Sequence, residues 1–202
     1  MVKFIESHCS TTTSTVTVKD AYFAREFKTG SWVGLFVMVI HEFTGINAIL
    51  LYSNQMLSSG ADSKISPREG TDIIGVVYLL SACMAVWTAK KFARRTLLIW
   101  GHVLMGICHC LVGLGFQLNN PNLTLIAMCL FIFFYANSSG CITWLYCSEV
   151  SVDAALGLIG TAGYGITFFL SLVTEPLMVS PLQQDGTFYM FGAISLMAAV
   201  WC

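Results

Sequence analysis

Long apolar runs alternate along this chain with short polar or glycine- and proline-bearing breaks. Six runs lie near residues 32–57, 72–89, 96–116, 123–146, 156–179 and 188–202. Between them stand SSGADSKISPREG, KKFARR, QLNNPN, CSEVSVDAA and SPLQQDG. About 20 predominantly apolar residues are needed to cross a hydrocarbon core as a helix. The pattern therefore predicts an all-α membrane protein with six transmembrane helices over residues 31–202, the last of them short, behind a leader at 1–30.

Composition agrees with the pattern. Hydrophobic residues make up 56% of the chain and charged residues 10%, against about 25% charged in an ordinary soluble domain. Mean hydropathy is +0.73, so the lipid bilayer is an expected partner. A formal net charge of -1 with no clustered basic face excludes nucleic acid as a partner. The leader, with STTTSTVTV at 10–18 and the acids Glu6, Asp20 and Glu26, lacks the apolar core of a signal peptide and is too acidic for a transit peptide. It is expected to face water. Of the basic residues, Lys3, Lys19, Arg25 and Lys28 lie in the leader and Lys90, Lys91, Arg94 and Arg95 in the second connection, leaving only Lys64 and Arg68 in the first. The positive-inside rule makes the leader and KKFARR cytoplasmic, and the breaks at 58–70, 117–122 and 180–187 external. The expected location is the plasma membrane, with an organellar membrane as the alternative.

Cys83, Cys108, Cys110, Cys129 and Cys141 fall inside apolar runs and read as small hydrophobes rather than a disulfide framework. Cys108, His109 and Cys110 are consecutive, and side chains about 100° apart on a helix do not converge on one metal. The aqueous segments show no nucleophile with a base and no phosphate loop, so neither an enzyme nor a cofactor is expected. Asn122-Leu-Thr124 forms a glycosylation sequon hard against a span, and Asn137-Ser-Ser139 a second inside one.

Within the spans the polar residues are concentrated at two places. HEFTGINAILLYS, residues 41–53, puts His41, Glu42 and Asn47 in the middle of the first run, with Asn54 and Gln55 towards its external end. Central charges cost roughly 2.5–3.5 kcal/mol on insertion scales, so such groups face a bundle interior or a watered cavity. At helical spacing His41, Glu42 and Gly45 would border one stripe. Two readings stand: His41 and Glu42 satisfy each other and neighbouring helices, or they face a ligand. Thr44-Gly45 is either a break of the kind that lines transporter sites or a point of close helix packing. NSSGCITWLYCSE, residues 137–149, repeats the theme, with small polar residues before Trp144. An indole face beside hydroxyls and amides suits a carbohydrate, and it also suits an interfacial anchor.

These stretches resemble the sugar porters of the major facilitator superfamily. TGINAILLYS is similar to that family's seventh-helix motif, a Gln-Gln pair followed by Thr/Ser-Gly-Ile-Asn and a tyrosine-serine pair. KKFARRTLLIWG resembles the loop Asp/Glu-Arg-x-Gly-Arg-Arg after the eighth helix, and SSGCITWLYCSEV the tenth-helix pattern Gly-Pro-x-Pro-Trp-x-x-x-Glu. The resemblance covers residues 30–202 and only the C-terminal six-helix half of a twelve-helix fold in which sugar binds between two halves. It implies a sugar or related polyol as the solute, moved by alternating access through facilitated diffusion or proton coupling. It further implies His41 and Glu42 at the Gln-Gln positions, Asn47 at the motif asparagine, Tyr52 at the external-gate tyrosine and Trp144 at the tenth-helix tryptophan, all as solute-binding residues. Arg94, Arg95 and Glu149 fall on the cytoplasmic charge network.

Departures accompany the matches. Two amides have become an imidazole and a carboxyl group, Lys90 replaces the loop acid and Ala93 the loop glycine, and Cys141 and Thr143 replace two prolines. The arginine that usually follows Glu149 is absent from SVDAALG, and the eleventh-helix asparagine from Tyr164 to Thr167. A buried carboxyl beside His41 makes Glu42 a candidate proton carrier, because desolvation disfavours its charged form. Six spans supply half a pathway, so the expected partner is a missing N-terminal half, a second copy or a larger membrane assembly. The alternative function is a non-transporting structural subunit derived from half a porter.

Overall fold

A computed structural model describes residues 17–58, 66–179 and 183–201. Most of the Ser/Thr-rich leader, with Lys3 and Glu6, lies outside the described residues, as do Lys64 and parts of two predicted external breaks. All regular structure among the described residues is helical.

The leader contributes one short helix, α1 (Val18–Phe23). The first run then forms α2 (Lys28–Glu42) and α3 (Ile46–Ser58), parted at Phe43–Gly45. The second and third runs give α4 (Pro67–Lys91) and α5 (Arg94–Gln117). The fourth run gives α6 (Pro121–Tyr135), a π-helical turn (Ala136–Gly140) and α7 (Cys141–Val150) as one continuous rod. The chain ends in α8 (Asp153–Val179) and α9 (Gln183–Trp201).

Local chemistry explains where the rods begin. Ser66 and Glu69 form a reciprocal capping box with Pro67 at the first helical position of α4. Asn120 caps α6 through the Leu123 amide, again ahead of a proline. Both caps lie in the polar breaks.

Among the described residues five rods are long and apolar enough to cross a bilayer: Lys28–Ser58, Pro67–Lys91, Arg94–Gln117, Pro121–Val150 and Asp153–Val179. The sixth run, expected over 188–202, is helical from Gln183 to Trp201 and lies along α5. Small residues let those two approach: a Cβ on Gly106 would come within 3.1 Å of the Gly192 carbonyl oxygen, and one on Gly192 within 3.2 Å of the Gly106 oxygen.

The main core lies among α3, α4, α5, α6 and α9, around Ile49, Met105, Val112, Met128, Phe131, Ile132 and Phe188. A smaller cluster ties α1 to α2 and α8 through Ala21, Tyr22 and Ala155. The Ser31 hydroxyl donates to the Ala21 carbonyl at 2.8 Å and the Trp32 indole N–H to the Tyr22 carbonyl at 3.3 Å. The end of the leader is thereby fastened to the first span.

Burial is uneven. In the most apolar windows of α4 and α8 only 17% of residues are buried, against 50% in α5 and 61% in Pro121–Val150. Ile73, Val76, Leu79, Leu80 and Trp87 on α4, and Tyr164, Phe168, Phe169 and Leu172 on α8, are exposed.

Candidate functional site

The candidate site forms around the break in the first span. Gly45 has φ +81°, a left-handed conformation open to glycine at little cost, and helix α2 ends three residues before it. This corrects the single-helix stripe expected for His41, Glu42 and Gly45: with the helix ended at Glu42, the three residues face three neighbours. A Cβ on Gly45 would stand 2.8 Å from the Phe191 ring of α9. His41 turns to the fourth rod, where its Nδ1 lies 3.0 Å from Ser139 Oγ and its Nε2 3.2 Å from Tyr135 Oη. Glu42 turns to α8 and α3: its Oε2 accepts from Thr167 Oγ1 at 2.6 Å and from Asn47 Nδ2 at 2.9 Å. Both side chains are buried. His41 and Glu42 thus bond separate partners rather than each other.

One face of α8 organises the rest. Gly160, Tyr164, Thr167 and Ser171 are spaced by four, three and four residues, the repeat of a single helical face. The Trp144 ring packs at Gly160 and lies 6.4 Å from the Tyr164 ring, Thr167 donates to Glu42, and Tyr52 Oη donates to the Ser171 carbonyl at 2.7 Å. Glu42, Asn47, Tyr52 and Trp144 are therefore gathered along one stripe, and His41 lies on the far side of the broken segment. Trp144 and Tyr164 are exposed, so the stripe opens outward from the bundle. The Gly-rich stretch at 157–165 divides: Gly163 approaches Met38 and Glu42, whereas among the described residues nothing lies within 4 Å of a Cβ built on Gly157 or Gly165.

The fourth rod presents its polar residues through the π turn, which rotates the helix face by inserting an extra residue into the i→i−4 pattern. Ser139 reaches His41 and lies 3.4 Å from Thr143 Oγ1, while Asn137 Oδ1 accepts from Thr88 of α4 at 3.2 Å. Gly101 of α5 leaves the space that Ser138 occupies.

Arg94 and Glu149 stand at the opposite end from the capped breaks and form an ion pair between the start of α5 and the end of α7. Arg95 follows Arg94 in the first turn of α5. Lys91 lies over the Trp87 ring, 4.6 Å from its centroid.

Thr167, Ser171 and Tyr135 are the contacts that sequence reasoning missed. The spacing of Gly160, Tyr164, Thr167 and Ser171 was a usable signal for two of them, and the four-residue step from Tyr135 to Ser139 for the third.

Comparison with known proteins accords with this architecture. The family model described as "Sugar (and other) transporter" matches residues 3–202. The D-xylose-proton symporter of Escherichia coli (strain K12) is 27% identical over 181 residues, which cover 84% of this chain and 36% of the symporter. Sugar transporter ERD6-like 18 of Arabidopsis thaliana is 28% identical over 192 residues, 89% of this chain and 39% of that protein. The major myo-inositol transporter IolT of Bacillus subtilis (strain 168) is 26% identical over 184 residues, 84% of this chain and 38% of the transporter. This chain thus spans well under half the length of the curated relatives it matches. The solved structure of the major facilitator superfamily proton:xylose symporter XylE, bound to 6-bromo-6-deoxy-D-glucose, superposes with a TM-score of 0.67 at 23% identity, over 85% of this chain and 38% of that one. The fold is that of part of a major facilitator transporter, and with a family match over nearly the whole sequence this multi-pass integral membrane chain belongs to the sugar transporter family.

Proposed function

We propose that the chain supplies the C-terminal half of an alternating-access pathway for a sugar or related polyol. The observation that carries the reading is the α8 stripe, which draws Glu42, Asn47, Tyr52 and Trp144 into one outward-opening row of carboxylate, amide, phenol and indole. An indole face stacks on sugar C–H groups while carboxylate and amide groups bind hydroxyls. Relatives of this chain include a D-xylose-proton symporter and a myo-inositol transporter, which fits a polyhydroxy solute of modest size.

The open side of the row lies beside the exposed face of α8, and a polar row is poorly suited to lipid. A complementary six-helix half, in the same polypeptide or in a second copy, would face it across the solute. The leader and the basic KKFARR loop would lie in the cytoplasm, with the Arg94–Glu149 pair holding that end closed in one state of the cycle. Plasma membrane placement fits this orientation, and in an organelle the same rule would put those segments in the matrix or stroma.

Glu42 serves as the proton carrier in this reading. Glu42→Gln keeps an acceptor for Thr167 and Asn47 and removes the charge, so uptake should lose its pH dependence while solute exchange persists. Unchanged pH dependence would remove Glu42 from the coupling.

The deciding experiment is uptake of labelled D-xylose, D-glucose, D-galactose and myo-inositol into proteoliposomes. The Trp144→Ala, Asn47→Ala double variant serves as control. Saturable uptake lost in the variant supports the reading. A folded chain that neither binds nor moves any of the four, alone or with a complementary half, favours a structural membrane subunit. The hydrogen bonds that His41 and Glu42 already make within the chain are the observation on that side.

A further inference from the structure

The break in the first span frees a carbonyl that lies in neither helix, and its partner comes from a helix with no proposed solute contact. Thr44 lies between α2 and α3, and its carbonyl oxygen is 2.7 Å from His109 Nε2 of α5. A carbonyl only accepts, so the proton sits on Nε2 and Nδ1 is the bare nitrogen. Among the described residues that buried Nδ1 has no hydrogen-bond partner. The ring is fully buried, with centroids 4.3 Å from Phe131, 5.6 Å from Phe188 and 6.0 Å from Phe191. A phenylalanine would fit such company without burying a bare nitrogen. What the histidine adds is the Nε2 proton.

Phe191 is also the ring against which Gly45 stands. The joint is thus held at two consecutive residues, by a hydrogen bond on Thr44 and a ring on Gly45. Inside the joint, Thr44 Oγ1 donates to the His41 carbonyl at 2.7 Å.

We propose that His109 is a positioning residue for the candidate site. Its Nε2–H fixes the direction of the Thr44 carbonyl and with it the angle between α2 and α3. That angle brings Glu42, the last residue of α2, within 2.9 Å of Asn47 in the first turn of α3. His109 acts through the backbone and touches no solute. The claim about the joint stands on geometry, and its consequence for solute binding rests on the transport reading.

Two variants separate the hydrogen bond from the ring. His109→Gln places an amide N–H near the position of Nε2 and loses the ring, whereas His109→Phe keeps the ring and loses the donor. Amide hydrogen exchange over residues 44–48, measured on the full chain in nanodiscs, should rise about tenfold or more in His109→Phe and stay within about threefold of the parent in His109→Gln. Affinity for D-xylose or D-glucose should fall in the same order. The reverse order of exchange would overturn the proposal and assign His109 to ring packing. Solid-state NMR of the parent protein tests it without any variant: an Nε2–H tautomer is expected, and an Nδ1–H tautomer would overturn it. Should the exchange order hold while no sugar binds the parent, the transport reading fails and the joint remains.

Discussion

Two spans are interrupted at the candidate site, and the two interruptions solve the same problem in opposite ways. At Phe43–Gly45 the helix stops and restarts, with one residue in the left-handed region. The Thr44 carbonyl released there finds its partner in the His109 side chain, and the His41 carbonyl accepts from both the hydroxyl and the amide of Thr44. At Ala136–Gly140 the rod continues, because a π turn absorbs the irregularity within its own backbone pattern. There the side chains are redirected instead, Asn137 towards α4 and Ser139 towards His41. A break needs outside support and a bulge needs room. The first should therefore be sensitive to whatever braces it, and the second to whatever crowds it.

Substitution at Gly45 should give the largest effect. Gly45→Val combines a left-handed conformation, roughly 1–2 kcal/mol for an L-residue, with overlap on Phe191 of about 1–3 kcal/mol. A loss of about 3 kcal/mol is expected in SDS unfolding of the bicelle-reconstituted protein, and a loss under about 1 kcal/mol would show that the break relaxes freely.

Crowding the bulge comes next. Gly101→Ala puts a methyl into the space of Ser138 and should cost about 1–3 kcal/mol. Adding Ser138→Gly should recover most of that, and purely additive losses would mean that the two residues do not compete for one space. Ser139→Ala removes one of the two side-chain partners of His41 and should cost about 0.5–1.5 kcal/mol in the same assay. A cost equal to that at Gly45 would erase the distinction between brace and bulge.

The smallest effect is expected far from both. Arg94 and Glu149 are partly exposed, so Arg94→Ala should change stability by no more than about 1 kcal/mol in the same assay. A large destabilisation would give the pair a structural rather than a gating role.

The same contrast explains what could be read from the letters. Thr44-Gly45 inside an apolar run reads equally as a break or as close helix packing, and the structure shows both, a left-handed Gly45 with the Phe191 ring against it. Asn137-Ser-Ser-Gly140 looks identical to small-residue packing, and a π turn has no residue requirement to betray it. His41 and Glu42 were legible as costly buried groups, but their opposite directions follow from where α2 ends relative to α6 and α8. Thr167 and Ser171 read as ordinary hydroxyls in an apolar helix until tertiary contact brings α8 against Glu42. The caps at Ser66 and Asn120 obey local rules, which is why the polar breaks that hold them were legible from the sequence.

Glu42 carries one further implication. Both of its donors converge on Oε2, and among the described residues Oε1 has no hydrogen-bond partner. With Oε2 taken by two donors, the carboxylate has only Oε1, with its two lone pairs, left to accept from a further donor. While the group is ionised, a hydroxyl bonding to it would donate. On the proposed transport reading, an O-methyl or fluoro analogue, which accepts but cannot donate, should bind more weakly when altered at the hydroxyl that meets Oε1, and equal binding of every such analogue would remove Glu42 from solute contact.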